Sequence, residues 1–308
     1  MPAYNARPFI EQSIRSVLDQ DYSNIELIVV DDGSTDGTPE AAEQFGSRVW
    51  VIRQNNSGPA AARNRGIAAA RGEFIAFLDA DDVWLPGKVS MQVQYLQNHP
   101  KVGVVFGGFC RWYSQSDGTF LMPPTPIDLD APLNIIVKYS GWIYTTLLFD
   151  NVIHIITAMV HRSVVETVGS FDESLRTGED YDFWLRVSRQ FRAAEFDRTL
   201  AYYRIHTAST TRVPRKENNE YKVLLKTLAA YGPAGPDNVT IPEKALRERF
   251  SQLCFSHGYF HIRSGDANVA REAFGAALHH SPLKPKVWIY WILAMIKGYM
   301  LRLHRLKK

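Results

Sequence analysis

Cysteine is nearly absent from this 308-residue chain: Cys110 and Cys254 are the only two, far apart and without metal-ligand spacing. Nothing in that pattern suggests a disulfide framework or a zinc site. No basic-then-apolar leader stands at MPAYN, so the expectation is a reducing cytoplasmic compartment. Long hydrophobic runs are also missing. The ten apolar residues from Val287 to Ile296 are too few to cross a bilayer. Neither G-x-G-x-x-G nor G-x-x-x-x-G-K-[ST] occurs, which weighs against a nicotinamide enzyme or an ATPase. Any nucleotide site would have to use acids, a metal and loop backbone. From Ala273 to the end there is no acid but seven Lys or Arg, which leaves a net −4 on the rest of a +3 chain. This argues against a nucleic-acid-binding surface and puts the basic character in one tail.

What is present reads as a soluble α/β protein, 45% apolar and 22% charged. Residues 7–20 carry Phe9, Ile10, Ile14, Val17 and Leu18 at helical spacing. Ile25 to Val30 is a continuous apolar run that predicts a strand buried on both faces. It ends in DDGSTDGT (31–38), a turn punctuated by Gly33 and Gly37, with Asp36 able to cap the next helix. Val49 to Ile52 predicts a strand, and residues 57–71 an Ala-rich helix capped by Ser57 with Pro59 in its first turn. A further strand, Phe74 to Leu78, runs into Asp79 and Asp81. Strand and helix alternate, which predicts a mostly parallel sheet with its ligand loops along the carboxyl edge. Two carboxylates at that edge suit a hard divalent cation that also holds substrate phosphates; a solvated acidic turn is the plainer alternative.

Four ordered segments, PAYN (2–5), ELIVVDDGSTDGT (26–38), N-x-G-x-x-x-ARN-x-G (Asn56 to Gly66) and GEFIAFLDADDVWLPGK (72–88), resemble family 2 glycosyltransferases of the GT-A fold. The likeness covers roughly residues 1–210. It implies that the loops after the first two strands hold the nucleotide of a sugar donor, with Ala3, Tyr4 and Asn5 near base and ribose. Asp32 would then accept the uracil N–H with Asp31 beside it, and Arg63 would lie against base or pyrophosphate. The resemblance makes Asp81 a direct ligand of Mn or Mg, with Asp79 on the ribose or reaching the metal through water.

In the second half, VGSFDESLRTGEDYDFWLRVS (168–188) predicts a helix starting near Asp180. By itself the acidic cluster could simply stabilise a helix amino terminus. It resembles the family's Glu-Asp motif, which implies Asp180 as general base and Glu179 as its support or an acceptor contact. Asp172 and Glu173 read as a structural turn. The resemblance also implies His206, in YYRIHTAST (202–210), as a third metal ligand, and Arg204 and Thr207 on the diphosphate. The Gln-x-x-Arg-Trp motif of processive synthases is absent, so transfer of one or few sugars is expected. The implied reaction is a single displacement with inversion. A sugar moves from a nucleotide-diphospho-sugar, UDP-linked by expectation, to a saccharide or lipid-linked acceptor. A catalytically impaired binding or scaffold protein of the same fold, or another sugar-nucleotide-handling enzyme, are the alternatives.

Family members usually carry a strand of the VSVIIPAYN kind before the first loop. Here Met1 stands where that strand's last residue would be. The expectation is a true start upstream, in preference to a rearranged sheet or a crippled protein. The first domain is placed at 1–212 and a helical region at 213–308. That region contains helices over 216–231 and 243–263, a Gly/Pro-rich linker at 232–236, and a segment at 265–282 resembling one helix of a tetratricopeptide-type pair. The terminal helix, 287–306, with its tryptophans and basic flank, reads either as an interfacial helix on an anionic membrane, at the inner face of the cell membrane, or as a helix closing the bundle.

Overall fold

The computed structural model describes residues 1–121, 132–206 and 214–306, with side chains to residue 300. Thr207 lies outside the described residues, as do the side chains of the last basic residues. The chain divides into two compact units.

The first unit, Met1–Thr207 with Gly235–Asp237, opens with β1 (Pro2–Ala3), α1 (Ile10–Leu18), β2 (Leu27–Asp31), α2 (Thr38–Glu43), β3 (Val49–Arg53) and α3 (Pro59–Ala69). β1, β2 and β3 pair in parallel, Ala3 beside Asp31 and Ile28 beside Trp50. β2 is buried at all of its residues, as its uninterrupted apolar run requires. α1 turns Ile10, Ile14 and Val17 inward at the helical repeat. The cap of α3 is Gly58, not Ser57. Ser57 spends its N–H on Asp32 Oδ1, 2.8 Å away, and turns its hydroxyl to the Asn55 carbonyl.

The unit continues with β4 (Phe74–Ala76), β5 (Val83–Trp84), α4 (Lys88–Asn98), β6 (Val102–Tyr113), α5 (Tyr144–Leu147), β7 (Met159–His161), α6 (Arg162–Val168), α7 (Glu179–Gln190) and β8 (Arg192–Ile205). Its strands form a second sheet in the order β4-β7-β6-β8-β5. The expectation of a mostly parallel sheet is corrected here. β4 with β7, β6 with β7, and β5 with β8 are antiparallel, and β6 with β8 is parallel. An apolar run looks the same in either direction. The short strands β5 and β7 return along longer neighbours without a crossover helix to fix their sense. The class remains α/β, with helices flanking sheet.

β1 is only two residues long. Among the described residues β2 and β4 share no ladder. Between them lies a cavity of about 560 Å³, lined by Met1, Ile25, Ile28, Ile67, Phe74 and Leu78 among others. The Met1 nitrogen donates to the Ile28 carbonyl at 2.9 Å.

The second unit, Ala208–Ala234 with Asn238–Lys308, holds α8 (Asn219–Tyr231), α9 (Glu243–Ser264), α10 (Ala267–His280) and α11 (Pro285–Leu306). Asn218 and Asp266 cap α8 and α10 by accepting the N–H groups of Tyr221 and Asn268. Cys254, Ala270, Phe274, Ala277, Val287 and Ala294 make its core. Small residues let the helices approach: a Cβ on Gly258 would stand 2.8 Å from the Phe274 ring. α11 leaves Trp288, Ile289, Ile292, Leu293, Ile296 and Tyr299 exposed. Among the described residues no helix is long and apolar enough to cross a membrane.

Candidate active site

The carboxyl end of β2 delivers Asp31 and Asp32, both buried. Asp32 accepts three N–H groups from the segment leading into α3: Gln54 Nε2, Ser57 N and Gly58 N, each at 2.8 Å. It shapes that loop with both of its oxygens. Asp31 accepts from Ser34 N at 3.3 Å, and its Oδ1 is buried with no partner among the described residues. Gly33 must be glycine, since φ is +80° and a Cβ would meet Asn56 N at 3.0 Å. Ala3, Tyr4 and Asn5 face this turn. The Ala3 carbonyl accepts from Asp32 N at 2.8 Å, and Asn5 Oδ1 from Thr35 N at 2.9 Å. Tyr4 is exposed.

Arg63 is the surprise of α3. It is buried, and its two arms reach Asp79 Oδ1 at 2.7 Å and Glu179 Oε1 at 2.5 Å. Burial works against its charge, yet the coulombic pull of Asp79 and Glu179 outweighs that and raises its pKa. One guanidinium thus joins the end of β4 to the start of α7.

Asp81, on the turn after β4, meets His206 Nε2 at 3.0 Å. The turn is held there by its neighbour. Asp82 is fully buried and accepts the Arg204 backbone N–H at 2.7 Å, while β5 continues the contact by pairing Val83 with Tyr202. The Arg204 side chain is only 1% exposed. It lies 4.8 Å from the Phe9 ring, 4.7 Å from Trp112 and 5.1 Å from Phe120, and donates to Gln12 Oε1 at 2.6 Å. The Arg204 guanidinium is thus enclosed by three aromatic rings, and its Nε and Nη1 have no hydrogen-bond partner among the described residues.

α7 presents Glu179 and Asp180 in its first turn, after Gly178 at φ +79°. Asp180 accepts its neighbour Tyr181 N at 2.8 Å and the Asn151 amide at 3.4 Å. Burial raises its pKa to about 6, the Glu179 charge adds to this, and Arg63 opposes it. A carboxylate so placed is ionised near neutrality and more basic than an ordinary one.

Among the described residues no group of three His, Cys, Asp or Glu is assembled that could hold a metal. Asp81 and His206 are paired, whereas Asp79 is engaged by Arg63. A partly exposed carboxylate and imidazole still fit a divalent cation whose remaining ligands come from a substrate's phosphates. Residues that the sequence did not single out are Gln54, Asp82, Asn151 and His154. Asp82 sat unnoticed within the acidic run, and the other three carry no local signal.

The sequence profile of Glycosyl transferase family 2 matches residues 1–145. Over 233 residues the chain is 31% identical to the Escherichia coli UDP-Glc:alpha-D-GlcNAc-diphosphoundecaprenol beta-1,3-glucosyltransferase WfaP, covering 73% of this chain and 84% of that protein. The chain belongs to glycosyltransferase family 2. This glycosyltransferase also shares its fold with solved structures of low identity. Staphylococcus aureus TarS (1-349) in complex with UDP superimposes with a TM-score of 0.61 at 19% identity, covering 97% of this chain and 87% of that one. Mannosyltransferase PcManGT of Pyrobaculum calidifontis, in complex with GDP-Man and Mn2+, gives 0.56 at 21% identity, covering 97% and 85%.

Proposed function

We propose that this glycosyltransferase moves a sugar from a UDP-sugar to a saccharide or lipid-linked acceptor by single displacement with inversion, with a divalent metal, Mn or Mg. The observation that carries this reading is the convergence of three groups: the Asp81–His206 pair, the Asp79–Arg63–Glu179 network, and Asp180 at the head of α7. WfaP, by its name, uses a UDP-sugar and a polyprenyl-diphosphate-linked saccharide, and TarS was solved with UDP and with UDP-GlcNAc. These support the donor and acceptor classes.

The loops carrying Ala3, Tyr4, Asn5, Asp31 and Asp32 receive the nucleoside, with Asp32 accepting from the base and Asp31, whose buried Oδ1 lacks a partner among the described residues, beside it. Asp79 reaches the ribose. Asp81 and His206 hold the metal, which supplies Lewis-acid neutralisation of charge on the diphosphate. Asp180 takes the proton of the acceptor hydroxyl as its oxygen bonds the anomeric carbon. The bond from that carbon to the diphosphate oxygen breaks on the opposite side, and the diphosphate leaves with the electron pair. Glu179, tied to Arg63, keeps Asp180 in place. The exposed apolar face of α11, with no acid on the helix, docks on an anionic membrane, which places the protein peripherally at the inner face of the cell membrane.

Calorimetry of UDP with and without Mn2+ tests the donor reading. Manganese-dependent binding by the wild type supports it, and no UDP binding by folded protein defeats it.

A further inference from the structure

One face of the β6–β8 pair is unlike the other. Side chains alternate along a strand, so Cys110, Trp112 and Tyr202 point into the core with Val83 and Leu85. Phe109 and Arg111 on β6 and Tyr203 on β8 take the opposite face, where Arg111 stands level with Tyr203. Phe109 and Tyr203 are half-buried there, their rings 6.0 Å apart. The His154 ring packs on both, 4.1 Å from Phe109 and 4.9 Å from Tyr203.

The segment carrying His154 also carries Asn151, whose amide reaches Asp180 Oδ2 at 3.4 Å. Asp79, Arg111 and Arg63 stand near enough for their charges to act on His154. Burial lowers its pKa to about 4, which keeps the imidazole neutral and able both to donate and to accept. Two polar atoms of this segment, Asn151 Oδ1 and His154 Nδ1, are buried with no partner among the described residues. Such atoms are costly to bury, and native proteins leave few of them. Two lie within four residues, one on the side chain that reaches the proposed base and the other on the ring packed against Phe109 and Tyr203, and hydroxyl groups of a ligand would satisfy them.

A pyranose ring matches this chemistry. It offers an apolar C–H face to aromatic rings and a rim of hydroxyls to fixed polar groups. We infer that Phe109, Tyr203, Asn151 and His154 form the subsite for a hexopyranose acceptor, with the rings under its C–H face and Asn151 and His154 bonding its hydroxyls. A sugar seated there carries one hydroxyl to Asp180. The inference rests on the transferase reading above and supplies its acceptor side. Asn151 and His154 act as binding residues, and Asp180 remains the proton acceptor.

The test uses the full chain with UDP and Mn2+ and three probes: the p-nitrophenyl β-pyranosides of glucose, galactose and N-acetylglucosamine. Saturation-transfer NMR reads hexoside binding and calorimetry reads UDP binding on the same samples. The wild type should bind at least one hexoside. His154→Phe keeps the ring packing and removes the polar nitrogens, and Tyr203→Leu removes the floor. Each should weaken hexoside binding at least tenfold and leave UDP affinity within twofold, which also shows that the variants fold. Hexosides held equally by wild type and both variants would overturn the subsite. So would a wild type that binds UDP and none of the hexosides. A wild type that binds neither would remove the transferase reading and the subsite together.

Discussion

Asp81 and His206 stand 125 positions apart in the chain and meet at 3.0 Å. A neighbouring side chain frames the contact: the Asp82 carboxylate, next to Asp81, accepts the backbone N–H of Arg204 at 2.7 Å. The acidic turn and the end of β8 are thereby held together.

Asp81→Ala and His206→Ala should each weaken manganese-dependent UDP binding at least tenfold, or about 1.4 kcal/mol. Metal-free binding should change little. Calorimetry at matched metal concentrations decides this, and unchanged affinity in both variants would remove the pair as the metal site.

Asp180 is deprotonated above its pKa of about 6 and protonated below it, so only the higher range leaves it able to take a proton. Transfer should therefore fall about tenfold per unit as pH drops below 6. Asp180→Asn should abolish transfer and retain UDP binding. A raised carboxylate pKa also means that the folded state loses stability as pH rises from the unfolded value through 6, so Asp180→Asn should raise the Tm at pH 7.5. Retained turnover in the variant would show that the base lies elsewhere.

Removing the Arg63 guanidinium leaves Asp79 and Glu179 facing each other without compensation. Arg63→Met should cost about 3–5 kcal/mol in urea unfolding. Arg63→Lys, a point charge that cannot span both acids, should recover only part of that loss. A variant as stable as the wild type would show that the network contributes little.

The exposed face of α11 can be changed without touching its buried side, Val287 and Ala294. Trp288→Ser with Ile292→Ser should cut co-sedimentation with phosphatidylglycerol vesicles at least tenfold and leave the Tm within a few degrees. If the wild type stays in the supernatant, the membrane placement falls.

Much of the first half was legible because local signals and tertiary demands agree there. The run 25–30 became the buried strand β2, and Gly33 and Gly37 sit at φ +80° and +86° where the turn needs them. Glu179 and Asp180 open α7 as the acidic cluster suggested. Strand direction was not legible, since Val83–Trp84 and Met159–His161 read as apolar in either sense. Nor was the role of Arg63. An arginine on an Ala-rich helix looks like a solvated one until partners 16 and 116 residues away close on it. Asn151 and His154 have meaning only through Asp180, Phe109 and Tyr203, contacts that no window of sequence contains.

Because β2 and β4 share no ladder among the described residues, the layer holding β1 to β3 and the layer holding β4 to β8 should open as separate cooperative units. Amide exchange would report this directly. Protection along Leu27–Asp31 can lapse while that of Val104–Phe106 endures, and Arg63, reaching from α3 to acids on the far side of the seam, is the latch whose loss would widen the gap between the two rates.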